Sequence, residues 1–161
     1  MTRTMHIALA EGVFTAQFTE RGLARLEWPR RKSAREATQT TPALSPRERL
    51  WLRQTRAALE RVLAGKPPRL LPPLDLSGGT AFQQQVWRRL RRIPAGRTRT
   101  YRELAVAVER PAAARAVGNA CGANPIPLLI PCHRVVPSGG GLGGFSGPIR
   151  WKQRLLERER V

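Results

Sequence analysis

The sequence predicts an α+β protein, with a small sheet at the start and helices after it. Two observations carry that prediction. Residues 5–28 hold three short, partly alternating apolar segments separated by glycine or charged residues. From residue 45 onward, Ser/Thr-x-x-Glu/Gln capping boxes recur ahead of apolar residues at helical spacing. The stretch 66–79, KPPRLLPPLDLSGG, is proline-rich and then glycine-rich. It is the expected boundary between two domains, 1–78 and 79–161.

Taken in order, MHIALA, GVFTAQFT and GLARLEWP are the strands of a small antiparallel sheet. Residues 29–43 are polar, lack an apolar period and are expected to be a loop. Ser45 as N-cap, Pro46 in the first turn and Glu48 closing the box start the first helix. Its apolar face is Leu50, Trp51, Ala58, Leu59, Val62 and Leu63, and Gly65 ends it. Thr80 with Gln83 opens a second helix, carrying Phe82, Val86, Trp87, Leu90 and Ile93 and stopping at Pro94-Ala95-Gly96. Thr100 with Glu103 opens a shorter one, carrying Leu104, Ala105 and Val108.

After a turn at Arg110-Pro111, a small-residue helix runs from Ala112 to Cys121 and ends at Gly122. Two short helices joined by a tight turn resemble a helix-turn-helix, and the alanines would let the second approach a groove wall closely. An ordinary packed hairpin has the same pattern. Past Asn124-Pro125, the apolar run IPLLIP leads into Cys132, and the glycine-rich PSGGGLGGFSG follows. A last helix, about 148–160, turns Ile149, Trp151, Leu155 and Leu156 inward.

Composition narrows the function. In 161 residues there are 29 basic and 11 acidic side chains, a net charge of +18. Nearly all the basic residues are arginine. Such a balance favours a polyanionic partner, although an arginine-rich coding bias would produce it too. No apolar run approaches the roughly 20 residues of a membrane span, and MTRTMHIALAEG lacks a signal-peptide layout, so a cytoplasmic protein is expected. Cys121 and Cys132 make no disulfide framework. With His6 and His133 they offer no metal-ligand spacing, so no metal is expected.

Cys132 beside His133 admits two readings. A buried free cysteine is commonly a small hydrophobe. A thiol with a base nearby is a nucleophile, because only a few per cent of an ordinary thiol is thiolate at neutral pH. Neighbours on extended backbone point to opposite sides, so a turn or a bridging water is needed to bring the two together. A carboxylate behind the histidine would fix its tautomer, and Glu157 and Glu159 on the last helix are candidates.

Ile-Pro-Cys-His-Arg-Val, residues 130–135, resembles the active-site signature of the O6-alkylguanine-DNA alkyltransferases. The likeness extends over about 79–161, through GTAFQQQVWRRLRRIPAGRTRTYRELA, AARAVGNACGANPIPLLIPCHRVV, GGLGGFSG and KQRLLERE. Residues 1–75 resemble the family only in their strand–helix pattern and the PLDL that follows.

The resemblance implies a ribonuclease-H-like N-terminal domain and a helical DNA-binding C-terminal domain. It implies irreversible transfer of an alkyl group from O6-alkylguanine, and by extension O4-alkylthymine, in double-stranded DNA to Cys132. The protein would act as a monomer, without a cofactor, on a flipped-out base. His133 would draw off the thiol proton through a water, Glu159 would orient His133, and Asn124 would tie the helix-turn-helix to the active-site loop. Tyr101 would help turn the nucleotide and assist the leaving base. Arg115 would enter the base stack while its helix lies in the minor groove. Thr100, Ala116, Asn119 and Arg134 would contact DNA. Val135, Pro137, Ser138, Phe145, Ser146 and Gly147 would line the base pocket.

Relatives often carry tyrosine at the place of Phe145, so a hydroxyl hydrogen bond is lost here. The zinc ligands of some relatives' N-terminal domains have no counterpart. Two other readings fit the same residues: a lesion-binding or regulatory module whose thiol is incidental, and a cysteine hydrolase using Cys132, His133 and Glu159.

Overall fold

The computed structural model describes residues 1–30, 43–145 and 147–160. Its N-terminal part is an antiparallel sheet in the order β1 (Arg3–Leu9), β2 (Gly12–Thr19), β3 (Gly22–Arg30), with Ile7 opposite Phe14 and Ala16 opposite Leu26. Alternation on β2 sends Phe14, Ala16 and Phe18 inward, against Trp51, Leu59 and Val62 of helix α1 (Pro46–Leu63). Phe18 stacks on Trp51 with ring centroids 6.3 Å apart. The expected Ser45–Glu48 capping box is formed. Of the expected apolar face, Leu50 is exposed: the buried stripe runs through Trp51, Thr55, Ala58, Leu59, Val62 and Leu63, and Leu50 lies about 100° away from Trp51 around the helix.

The proline-rich stretch runs beside β3 rather than standing free. Leu23 donates to the Pro73 carbonyl at 2.8 Å, and Asp75 N donates back to the Leu23 carbonyl at 2.8 Å. This close approach needs Gly22, whose φ is +146° and where a Cβ would stand 2.1 Å from the Pro73 oxygen. Of the expected 29–43 loop, residues 31–42 lie outside the described residues, and Pro29 and Arg30 extend β3 instead.

The C-terminal part comprises α2 (Ala81–Leu90), β4 (Arg99–Thr100), α3 (Tyr101–Ala107), α4 (Ala114–Gly122), a 3-10 turn (Cys132–Arg134), β5 (Val135–Val136) and α5 (Ile149–Glu159). Both expected capping boxes, Thr80–Gln83 and Thr100–Glu103, are present. α2 ends at Leu90, so Ile93 is buried from the turn beyond it. α4 starts two residues later than expected, after Ala113 and without a side-chain cap. Trp87 donates its indole N–H to the Ala120 carbonyl at 2.8 Å, fastening α2 to α4. Ile149, expected inward, is 47% exposed in the first turn of α5, and Lys152 takes the inner position instead.

One pairing has no sequence signal. β4 and β5 run parallel, with Arg99 opposite Val135 and Thr100 opposite Val136. It clamps the start of α3 to the residues just after the Cys-His pair. One contiguous apolar core runs from Met5 and Phe14 in the sheet to Leu155 in α5.

Candidate active site

The site begins with a knotted loop. Asn124 accepts from Ile126 N at 3.0 Å and donates through Nδ2 to the Ile130 carbonyl at 2.8 Å, while Ile130 N reaches the Ile126 carbonyl at 2.9 Å. Leu128 adopts a φ of +73°, a conformation a branched side chain rarely takes. This loop delivers Cys132 into the 3-10 turn, where its N–H is bonded to the Ile130 carbonyl at 2.8 Å. The turn replaces the extended backbone considered above, so the opposite-sides objection to the Cys-His pair does not apply.

His133 is fully buried, and its Nε2 stands 2.9 Å from Glu159 Oε1. The carboxylate accepts the Nε2 proton, which leaves Nδ1 as the basic nitrogen. Nδ1 is buried and has no partner among the described residues. Burial chiefly lowers the His133 pKa, against the pull of Glu159, so the ring is neutral at neutral pH. Burial alone would raise Glu159, but hydrogen bonds and charge from His133 and Arg134 outweigh it and hold the carboxyl at about 2. Glu157, the other candidate carboxylate, is exposed.

Arg134 requires a correction. It was expected to contact DNA, but it is 7% exposed and its guanidinium is consumed internally. Nε donates to Glu159 Oε2 at 3.0 Å, Nη2 to Glu159 Oε1 at 2.8 Å, and Nη1 to the Ile93 carbonyl at 2.6 Å. It is the counter-ion that keeps Glu159 ionised behind His133.

Cys132 is 4% exposed and opens onto a cavity of about 650 Å³. Tyr101, Arg115 and Asn119 line one side, and Pro137, Gly143, Gly144 and Phe145 another. The structure thus brings six expected residues, Tyr101, Arg115, Asn119, Cys132, Pro137 and Phe145, around one space. Tyr101 reaches the Gly144 carbonyl at 3.4 Å. Burial raises its pKa, with the two thiols adding to the rise, so the hydroxyl keeps its proton. Burial also pushes the Cys132 thiol up, opposed by a hydrogen bond from Asn124, the charge of Lys152 and nearby backbone N–H groups. The resting group is therefore the thiol, and a base must act before it attacks.

The other expected pocket and DNA residues fall elsewhere. Val135 is fully buried and gives the site only its carbonyl. Ser138 is exposed on the loop and does not line the cavity, because the chain turns outward after Pro137. Gly147 packs against Trp28 rather than the cavity. Thr100 is occupied as the N-cap of α3, and Ala116 is exposed on α4 outside the cavity. Ser146 lies outside the described residues.

Three participants escaped the sequence reading. Lys152, fully buried, donates to the Val135 carbonyl at 2.7 Å and the Gly144 carbonyl at 3.4 Å, and sits 5.6 Å from the Phe145 ring centroid. Burial lowers its pKa, and the two thiols pull the other way. Its signal was present, since residue 152 falls on the stripe made by Trp151, Leu155 and Leu156. Trp28, from β3, meets Phe145 edge-on at 5.5 Å and Trp151 at 5.8 Å. Nothing local marks it. Cys121, to which the resemblance gave no role, lines the same cavity as Cys132.

Residues 81–161 match the family model for the DNA-binding domain of 6-O-methylguanine DNA methyltransferase. The chain belongs to this family. Its match to a methylated-DNA–protein-cysteine methyltransferase of Methanosarcina barkeri is 40% identical over 143 residues, 87% of this chain and 85% of the relative. A match to the regulatory protein ada of Salmonella typhimurium is 53% identical over 87 residues, 54% of this chain but only 24% of that longer protein. Among solved structures, the Mycobacterium tuberculosis O6-methylguanine methyltransferase superposes with a TM-score of 0.78 at 36% identity, covering 99% of this chain and 93% of that one. The same organism's protein has also been solved in complex with DNA, and that structure superposes with a TM-score of 0.76 at 37% identity, covering 99% and 92%.

Proposed function

We propose that this protein repairs DNA by moving an alkyl group from the O6 position of guanine onto Cys132, once and irreversibly. The observation that carries the reading is Cys132 at the wall of a cavity of about 650 Å³, ample for a flipped base, with the buried His133–Glu159–Arg134 chain in the turn beside it. Neutral His133, with Nδ1 free to accept, takes the thiol proton through a water. The thiolate displaces guanine at a saturated carbon, and Tyr101, still protonated, donates to the departing base. The product is a thioether, which has no carbonyl for water to attack, so the protein does not turn over.

The target oxygen is hidden in the duplex, so the nucleotide must flip out, at a cost of a few kcal/mol. In this reading α3 and α4 act as a helix-turn-helix in the minor groove, with Arg115 filling the vacated stack. Arg97, Arg99, Arg102 and Arg115 are exposed and form no ion pair among the described residues, which suits phosphate contacts. The N-terminal 1–78 is read as a reduced ribonuclease-H-like domain and 79–161 as the DNA-binding and transfer domain. O4-alkylthymine is proposed as a second substrate.

Intact-mass measurement after incubation with a duplex carrying one O6-methylguanine tests the reading. One added methyl group, mapped to Cys132 and saturating at one per protein, is the expected result. An unchanged mass on folded protein that still binds the duplex would reduce it to a lesion-binding module, and repeated turnover would make it a hydrolase.

A further inference from the structure

The transfer chemistry uses one thiol, yet the cavity has two. Cys121 sits in the last turn of α4, is 5% exposed and lines the same cavity as Cys132. Both cysteines are free. Tyr101 lines this cavity with both sulfurs, and Lys152, beneath it, lies near enough for its charge to act on each of them. Burial, with charge on Cys132 adding to it, pushes Cys121 up to about 12. The base, His133, adjoins Cys132 in the chain, so Cys132 takes the first alkyl group, and Cys121 remains a soft nucleophile for a stronger electrophile formed beside it.

We propose that the cavity is a two-thiol site: after a 2-haloethyl group is transferred to Cys132, Cys121 captures its far carbon, closing a Cys132–S–CH2–CH2–S–Cys121 bridge. This rests on the transfer reading above and extends it to alkyl groups that carry a leaving group. In the first step the Cys132 proton goes to the His133 base, the S–C bond forms, the C–O6 bond breaks, and guanine leaves with the electron pair and takes up a proton. In the second, the new thioether sulfur displaces halide from the adjacent carbon and becomes a three-membered sulfonium. In the third, the Cys121 sulfur opens that ring and its proton is released to solvent. The net change after transfer is loss of hydrogen halide, with no oxidant or reductant. Holding both sulfurs in one cavity gives the internal thiol the advantage over water and over the DNA. The bridge would consume a species that otherwise alkylates the DNA just released.

The test uses the full chain with a duplex containing one O6-(2-chloroethyl)guanine, followed by intact mass, thiol titration and peptide mapping. The expected product has lost both free thiols and gained two carbons with neither halogen nor hydroxyl, with the Cys121 and Cys132 peptides joined. Cys121→Ser is expected to stop at a hydroxyethyl group on Cys132 or at a cross-link to DNA. Native protein that ends as hydroxyethyl-Cys132 with Cys121 still titratable overturns the two-thiol site and leaves alkyl transfer intact. If no group leaves the DNA at all, the transfer reading fails instead, and dibromobimane, a fluorogenic thiol-bridging reagent, decides the remainder. A fluorescent bridge between Cys121 and Cys132 upholds the two-thiol site, and single-thiol labelling overturns it.

Discussion

Replacing Glu159 with glutamine removes the carboxylate that pairs with Arg134 and holds His133, and should destabilise the protein. The folded carboxyl lies at about 2 against an ordinary 4.5. At about 1.4 kcal/mol for each tenfold change in proton affinity, this is worth roughly 3 kcal/mol. The side chain is 2% exposed, so solvent screening takes little from that figure. Because the folded value is depressed, the contribution is fully present above 4.5 and is lost as pH falls towards 2. His133, also depressed by burial, adds a loss of its own that begins as pH drops below 6.5. Urea unfolding of native protein and Glu159→Gln, repeated from neutral pH down to about pH 2, gives the comparison. Glu159→Gln should be less stable by about 3 kcal/mol at neutral pH, and the gap should close across the 4.5-to-2 window. The exposed carboxylates contribute equally to both proteins and drop out of the difference. A gap that stays constant from neutral to acid pH would rule out a charge effect, since an uncharged packing defect behaves that way.

Lys152→Met leaves the Val135 and Gly144 carbonyls without their donor, and should cost about 1–3 kcal/mol in thermal or urea melts while slowing transfer. Gly147→Ala would place a Cβ 2.3 Å from the Trp28 indole nitrogen, in a ring held by Phe145 and Trp151. About 1–3 kcal/mol of overpacking is expected, and a double-mutant cycle with Trp28→Leu should recover much of it. Arg115→Ala should slow transfer from duplex DNA roughly tenfold or more, if the side chain offsets even part of the unstacking cost. The rate with free O6-benzylguanine, which needs no flipping, should fall much less even though Arg115 borders the cavity, and the ratio of the two rates is the measurement.

Features that depend on near neighbours in the chain could be read before any fold was known. Ser45–Glu48, Thr80–Gln83 and Thr100–Glu103 are bonds across three residues, so the helix starts were legible and all three boxes are formed. Alternation on β2 placed Phe14, Ala16 and Phe18 inward for the same reason. The resemblance around 130–135 singled out Cys132, His133 and, through the last helix, Glu159; the structure bonds His133 to Glu159 and sets Cys132 at the cavity wall.

Other features depend on partners far apart in the chain and emerge only on folding. Arg134 looks like any exposed arginine until α5 folds back to put Glu159, 25 residues on, against it, and the turn after α2 offers the Ile93 carbonyl from 41 residues before. The parallel β4–β5 pair has two residues a side, too short for any periodicity to announce it. Lys152 reads as a misplaced charge on an apolar stripe, and becomes intelligible only when the Val135 and Gly144 carbonyls converge on its amine. Trp28 meets Phe145 only because the sheet packs beside the glycine loop. A charge or an aromatic ring carries no local mark of its partner. Burial and pairing are properties of the assembled core, and they turned one expected DNA contact into the ion that holds the histidine's carboxylate.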